Sequence, residues 1–382
     1  MNYLEPTLCY QRKSVDMNQV KIRICCVIPS LQPGGMERVM SVLANGFTFY
    51  SNSEVHLILY GSKRSVFYHI EPSIHVHTPV FEFNKQRRTW NTWKTICFLR
   101  KTIREINPST VLSFGSMWNS LVLLSCVGIK NPVFISDRGT PLRYTTGIHA
   151  KLKNILYPTA AGIIVQTKYA ENVYRKRFRQ KNYCVIGNPI RETIIPEQNQ
   201  RENIIVSVGR LIGTKNFDRL IKIFEEIGNK DWKLVIIGGD ADGQHRLEEL
   251  QTQRDNSPMK DNIVLAGTQK NVESYLLKAK IFAFTSSEEG FPNAIGEAMS
   301  AGLPVVSYDC ITGPSEMIED GKNGYLTEVF DDATFKNRLE TLMNDEELRA
   351  EMGRNAKESI KQFSEEKIIE KFYQFITEKS KA

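Results

Sequence analysis

Two carboxylates, Glu289 and Glu297, stand either side of a Gly-Phe-Pro-Asn turn in the stretch FTSSEEGFPNAIGEAMSAGLPVV, residues 284–306. Carboxylates at that spacing can accept hydrogen bonds from hydroxyls, as on a sugar or a ribose, and would not hold a phosphate. Cations are supplied elsewhere. The segment VGRLIGTKNFDRLI sets Arg210 at the mouth of a strand and Lys215 in the loop after it. Paired cations there suit a diphosphate. In PGGMERV, Gly34 and Gly35 occupy a first strand-to-helix turn, where small residues let a phosphate or sugar approach the backbone. Each feature taken singly also suits a solvated surface or an ordinary turn.

Several other chemistries lack their signature. No G-x-G-x-x-G or G-x-x-x-x-G-K-[ST] occurs, so the fingerprints of dinucleotide and P-loop binding are missing. Asp240 and Asp242 in GGDADG have D-x-D spacing, but two acids at a loop tip are ordinarily solvated, and no metal is expected. His69, His75, His77 and His149 have no ligand spacing.

The elements that must position these residues are legible. IFAFTS reads as a buried strand, EEGFPN as a turn, Ala294 to Ala301 as a helix with Asn293 at its N-cap and Gly302 closing it, and LPVVSYD as a second strand. Glu289 then lies at the carboxyl end of a strand and Glu297 about one turn into a helix. That crevice is where open α/β sheets bind ligands, and the helix start offers a positive dipole end. The first half alternates strands such as IRICCVIPS, EVHLILYG, TVLSFGS, PVFISDR and GIIVQTK with helical stretches; the second does the same from NIIVSVGRL onward. The pattern predicts an α/β chain with a parallel, doubly wound sheet in each half. The expected boundaries are an extension over 1–18, an N-terminal domain over 19–192, a C-terminal domain over 193–362, and a final helix over 363–382 that packs back towards the N-terminal domain. The two domains are expected to face each other across a cleft.

Charge is divided unevenly. Residues 1–192 carry 26 Lys+Arg against 10 Asp+Glu, a balance of +16, while the remainder carries −9. A basic first half suits an anionic partner. Its densest stretch, residues 84–105, interleaves cations with Trp90, Trp93, Ile96 and Phe98. Such a helix fits an anionic membrane surface; equally, it could turn Trp93, Ile96 and Leu99 inward and solvate its charges. Nucleic acid is not expected, since no binding motif accompanies the charge. Seven cysteines without C-x-x-C argue against a disulfide framework or a zinc site. No apolar run reaches ~18 residues, so no spanning helix is expected.

Together, VGRL with its following K-x-FDRLI, EEGFPNAIGEAMSAGLPVVS, GPSEMIEDGKNGYL and the early GGMERV resemble the retaining glycosyltransferases of family 4, which have the GT-B fold of two Rossmann-like domains. The resemblance covers nearly the whole chain after residue ~20 and is strongest from 203 to 327. It implies that Glu289 sits by the donor sugar, that Glu297 binds ribose hydroxyls, and that Arg210 and Lys215 neutralise the donor diphosphate. It implies further that Gly290, Phe291, Pro292 and Asn293 contact sugar and phosphate, that Gly35 lies near the phosphate, and that Thr268 and Gln269 meet the base. Where many family members carry a histidine, this chain has ISDRGTP, so Asp137 and Arg138 are candidates for contact with sugar or acceptor, or for a structural pair at a strand end. This departure resembles the subgroup acting on lipid-linked oligosaccharides and surface glycans. The expected activity is transfer of a hexose or N-acetylhexosamine from a nucleotide-diphosphate sugar, UDP before GDP, to a polyprenyl-diphosphate-linked glycan, without metal or other cofactor. The expected location is cytoplasmic, at the inner face of a membrane. The rival readings are a nucleotide-sugar epimerase on the same fold and a non-catalytic nucleotide-sugar-binding subunit; a phosphorylase lacks its pyridoxal-phosphate lysine site.

Overall fold

Short runs of Val, Ile and Phe form the strands, and their burial follows from helices lying on both faces of a parallel sheet. The computed structural model describes residues 21–62, 65–84, 86–141, 147–240 and 244–378. The expected extension over 1–18, and Asp242 of the D-x-D spacing, lie outside the described residues. The chain divides into two compact units.

The first unit holds the described residues up to Gln166, Glu171–Pro189 and those from Glu366 on. Its strands are β1 (Ile22–Ile28), β2 (Ser53–Leu59), β3 (His75–His77), β4 (Thr110–Phe114), β5 (Val133–Ser136), β6 (Gly162–Val165) and β7 (Tyr183–Val185). They pair in parallel in the order β3-β2-β1-β4-β5-β6-β7. β4, β5 and β6 are buried at every residue. The helices between them are α1 (Gly35–Phe47), α2 (Arg88–Ile106), α3 (Asn119–Ser125), α4 (Gly147–Leu156) and α5 (Lys168–Arg177).

The second unit holds Thr167–Ala170 and Ile190–Glu365. Strands β8 (Ile204–Val208), β9 (Lys233–Ile237), β10 (Ile263–Gly267), β11 (Ile281–Phe284), β12 (Val305–Tyr308) and β13 (Gly324–Thr327) form a parallel sheet in the order β10-β9-β8-β11-β12-β13. Its helices are α6 (Phe217–Ile227), α7 (Arg246–Asp255), α8 (Glu273–Lys278), α9 (Asn293–Ser300), α10 (Pro314–Met317), α11 (Asp332–Asn344) and α12 (Glu346–Ile360). In each sheet the strand order reverses once, between β1 and β4 in the first and between β8 and β11 in the second. At such a reversal the loops leaving the carboxyl ends diverge and open a crevice for a ligand.

α2 divides the residues of the basic stretch between two faces. Asn91, Thr95, Leu99, Thr102, Ile103 and Ile106 form its buried face, Ile96 is half-buried, and Trp93 is exposed. Trp90 and Trp93 are 48% and 55% exposed and stack on one another at 4.9 Å, with Lys94 Nζ 5.7 Å from the Trp90 ring. Among the described residues no helix is long and apolar enough to cross a membrane.

The last helix, α13 (Glu365–Thr377), packs within the first unit. Phe372 is fully buried 5.9 Å from Phe114, Phe375 meets Phe134 at 5.3 Å, and Tyr373 stacks on Tyr50 at 3.6 Å. Gly46 and Gly162 admit this contact: a Cβ on either would come within 2.5 Å of Ile369 Cδ1 or 2.8 Å of Phe375 Cζ. Phe372→Ala is therefore expected to destabilise the protein by about 3–5 kcal/mol, measured as the shift in its urea unfolding midpoint with an unchanged slope.

Candidate functional site

The backbone of β8 runs beside that of β11, pairing Ile205 with Ile281 and Val206 with Phe282. The loop after β8 therefore meets the loop after β11. Lys215 closes a single 3-10 turn, Gly213–Lys215, in the first loop, and Glu289 lies in the second. Lys215 Nζ donates to Glu289 Oε1 in a close ion pair whose side chains are only 16% and 14% exposed. The ammonium also stands 5.0 Å from the centre of the Phe284 ring. Further bonds bind the loops together: Ser287 N donates to Thr214 O at 2.8 Å, Asn216 Nδ2 to Thr285 O at 2.8 Å, and Thr285 Oγ1 to Lys215 O at 2.9 Å. Arg210 is exposed just beyond β8. Here β8 and β9 run so close that a Cβ on Gly238 would lie 1.8 Å from Gly209 O, which only glycine permits.

The turn that follows Glu289 is anchored from below. Phe291 and Pro292 are buried, and Phe291 packs on Phe363 at 5.5 Å. Gly313, at φ +114°, lies against Pro292, where a Cβ would come within 2.2 Å of Pro292 Cδ. Thr312 Oγ1 donates to the Glu289 carbonyl. Asn293 is the first residue of α9 rather than its N-cap; Pro292 takes the cap position, its carbonyl accepting from Ile295 N at 3.0 Å and Gly296 N at 3.4 Å. Gly302 ends the helix at φ +71°. Gly290 and Glu297 are half-buried, Glu297 one turn into α9. Thr268 and Gln269 follow β10; Thr268 is exposed and close to the Gly239 backbone, and Gln269 Nε2 donates to Ala266 O. Arg210, Lys215, Thr268, Gln269 and the 289–297 stretch thus all leave carboxyl ends of one sheet. Thr312 and Gly313 were not singled out in the sequence reading, though the TGP tripeptide was the visible signal.

Gly35, Asp137 and Arg138 belong to the first unit. Gly35 is exposed and opens α1 directly after β1. Asp137 follows β5 but faces the interior: its side chain is 1% exposed, 2.9 Å from Lys153 Nζ, and accepts from Tyr157 Oη at 3.0 Å. Lys153, itself 5% exposed, also donates to Ser116 Oγ at 2.7 Å. Burial alone would raise the Asp137 pKa; the charge and hydrogen bond of Lys153, aided by Tyr174 and Tyr157, outweigh it and hold the carboxyl below its ordinary value. Asp137 therefore pairs with Lys153 and not with its neighbour in sequence. Arg138 turns onto the rings of Phe114 and Phe372, at 4.8 Å and 5.4 Å, and donates from Nη1 to Ile186 O. Its Nε and Nη2 are buried without a partner, and burial lowers its pKa to about 9. Lys153 escaped the sequence reading; its signal is a lysine three residues before Leu156 on the buried face of α4.

The family Glycosyl transferases group 1 matches residues 191–359, the span that carries the paired loops and α9. The amylovoran biosynthesis glycosyltransferase AmsD of Erwinia amylovora is 26% identical over 353 residues, covering 89% of this chain and 95% of that protein. A Campylobacter jejuni enzyme, GalNAc-alpha-(1->4)-GalNAc-alpha-(1->3)-diNAcBac-PP-undecaprenol alpha-1,4-N-acetyl-D-galactosaminyltransferase, is 27% identical over 365 residues, covering 94% of this chain and 99% of that one. Among solved structures, Anabaena Alr3699/HepE in complex with UDP shares the GT-B fold at a TM-score of 0.77 and 17% identity, over 94% of this chain and 100% of that one.

Breaking the interior pair strands a charge. Lys153→Met is expected to cost about 3–5 kcal/mol at neutral pH, read by chemical denaturation. Because the native Asp137 pKa is depressed, its contribution is complete above about pH 4 and disappears as pH falls through the native value. The difference between Asp137→Asn and the unsubstituted chain should therefore narrow in acid.

Proposed function

We propose that the chain, whose residues 191–359 match the family Glycosyl transferases group 1, is a glycosyltransferase that moves a hexose or N-acetylhexosamine from a nucleotide-diphosphate sugar to a polyprenyl-diphosphate-linked glycan, with retention of configuration. The observation that carries this reading is the Lys215–Glu289 ion pair at the strand-order reversal, with Arg210 exposed on the same loop system. UDP is favoured over GDP, supported by the UDP seen in the HepE complex. The lipid-linked acceptor is supported by the undecaprenol acceptor in the name of the Campylobacter relative, and surface polysaccharide assembly by the amylovoran role of AmsD.

The chemistry follows from charge. As the bond between the anomeric carbon and the phosphate oxygen breaks, the sugar gains positive character and the diphosphate leaves with the electron pair. Arg210, Lys215 and the start of α9 stabilise that leaving group. The acceptor hydroxyl enters on the same face, bonding to the anomeric carbon while its proton passes towards the departing diphosphate. Glu289 positions the sugar and lends electrostatic support. A carboxylate already neutralised by a lysine is a poor nucleophile, so a covalent glycosyl-enzyme is not part of the proposal. Glu297 takes the ribose hydroxyls, Thr268 and Gln269 the base, and the 290–293 turn the middle of the donor, with Gly35 near the phosphate. Two cations at the diphosphate make a metal unnecessary. The exposed Trp90 and Trp93 of α2, with half-buried Lys94 beside them, support a peripheral seat on an anionic membrane surface, at its cytoplasmic face.

The test is a thermal-shift panel of UDP, GDP and ADP with and without Mg²⁺. UDP at 100 times its dissociation constant should add about 2.7 kcal/mol, equally without metal, and Arg210→Ala should lose the shift. No shift with any nucleotide would overturn the donor reading. Glu289→Ala frees Lys215 for the diphosphate, so UDP should bind as tightly or more tightly while transfer falls by about 10²–10³-fold. Undiminished transfer in that variant would leave only the non-catalytic reading for Glu289, and turnover of the donor sugar without any acceptor would favour an epimerase. For the membrane seat, pelleting with anionic vesicles should be salt-sensitive and weakened by Trp90→Ala with Trp93→Ala.

A further inference from the structure

A cavity of about 470 Å³ lies in the second unit, within the range of about 300–1,000 Å³ usual for small-molecule sites. Its wall includes Arg201, Lys280, Arg349, Arg354 and Lys357, against the single carboxylate of Glu346. These cations gather in the half of the chain whose net balance is negative. The cavity is not part of the candidate donor site. Lys280 directly precedes β11 and Pro304 directly precedes β12, so it opens at the amino ends of the strands. Glu289 and Lys215 follow the carboxyl ends. The four residues of β11 separate the two ends by roughly 13 Å.

Four of the five cations are held in place by uncharged acceptors, and Arg354 is exposed. Arg201 Nη1 donates to Leu276 O at 3.1 Å and Ala279 O at 2.7 Å, and its Nη2 to Ala301 O. Arg349 Nη1 donates to Leu342 O at 2.6 Å, Lys280 Nζ to Asn203 Oδ1 at 2.8 Å, and Lys357 Nζ to Thr193 O at 3.3 Å. Every one of these acceptors is uncharged. The ion pairs among the described residues of this unit are formed by Lys215, Arg219, Arg246, Arg254, Lys322 and Lys361, and include none of the five. Burial pulls the Arg201 and Arg349 pKa values down, for Arg349 against the opposing charges of Glu346 and Asp345. Charges so placed are ordinarily paired. The carbonyl contacts account for Arg201 and Arg349 as staples between segments. They give no reason for Lys280, Arg354 and Lys357 to face the same space.

We propose that this cavity binds a phosphate-bearing anion at the amino-terminal edge of the second sheet. Five cations against one carboxylate call for a multiply charged ligand, which phosphate oxygens satisfy through the remaining guanidinium and ammonium donors. The occupant would also rest against Gly302, just past the end of α9, the helix whose first turn follows the Glu289 loop.

The experiment titrates inorganic pyrophosphate into the full chain by calorimetry and thermal shift, comparing three proteins: unsubstituted, Arg210→Ala, and Lys280→Glu with Arg354→Glu. Lys280→Ala with Arg354→Ala is a milder pair should charge reversal impair folding, checked by circular dichroism. Pyrophosphate should bind the unsubstituted and Arg210→Ala proteins, with affinity reduced about tenfold or more in the Lys280/Arg354 variants. Binding lost in Arg210→Ala but kept in the Lys280/Arg354 variants would overturn the proposal by placing the anion on the donor loops. A parallel arm pellets the same proteins with phosphatidic acid vesicles. Pelleting that depends on Lys280 and Arg354 assigns the phosphate to a lipid headgroup; pyrophosphate binding alone assigns it to a soluble ligand. Failure of both arms overturns the site. Arg210→Ala separates this result from the donor-site test, since that variant should lose UDP and keep pyrophosphate.

Discussion

The pairing of β8 with β11 is narrow, two residue pairs wide, yet the candidate site depends on it. Strands that follow one another in sequence would bring successive loops together. Here the chain leaves β8, builds β9 and β10 on one side, and returns to lay β11 on the other. Only that return sets the Lys215 loop against the Glu289 loop. Helices α6 and α9 then follow from the same edge into separate core clusters, and the buried Phe291, Pro292 and Gly313 anchor the turn before α9.

Two lysine–carboxylate pairs illustrate how surroundings decide what a charge can do. Lys153 and Asp137 are almost wholly enclosed, with Tyr157, Tyr174 and Ser116 filling the remaining hydrogen-bond positions. Neither member can exchange its partner without desolvated charge being left behind. Lys215 and Glu289 lie in loops and keep some access to water. Their attraction ties the two loops together while one side of the pair still meets solvent.

Much of this was legible from residue order. The apolar runs bounded by turn residues located most of the strands, and Gly302 marked the end of α9 through a left-handed backbone that favours glycine. β3, β7 and β13 carry no such mark: HVH and YCV have no two aliphatic or aromatic residues in succession and GYLT has no Val or Ile, while the similarly short β5, β6, β11 and β12 have both. The Lys215–Glu289 contact joins residues 74 apart, and its existence follows from strand order, which no local pattern encodes. Asn293 looked like a cap because of its side chain, but the adjacent proline ring and the two bonds to its carbonyl moved the helix start by one. Asp137 and Arg138 looked like a pair because they are neighbours; successive residues leaving a strand point apart, and each found its partner elsewhere. Trp93 was placed by competition for the face of α2, which Asn91, Thr95 and Leu99 fill.

The return of α13 to the first unit makes that unit discontinuous along the chain. During synthesis, every strand of the first sheet emerges before the helix that covers Phe114, Phe134 and Tyr50, and the whole second unit is made in between. The second unit can complete its core while the first still exposes an apolar face awaiting the last residues. Vulnerability to a chaperone or a protease in the nascent chain should then fall on the half that is made first.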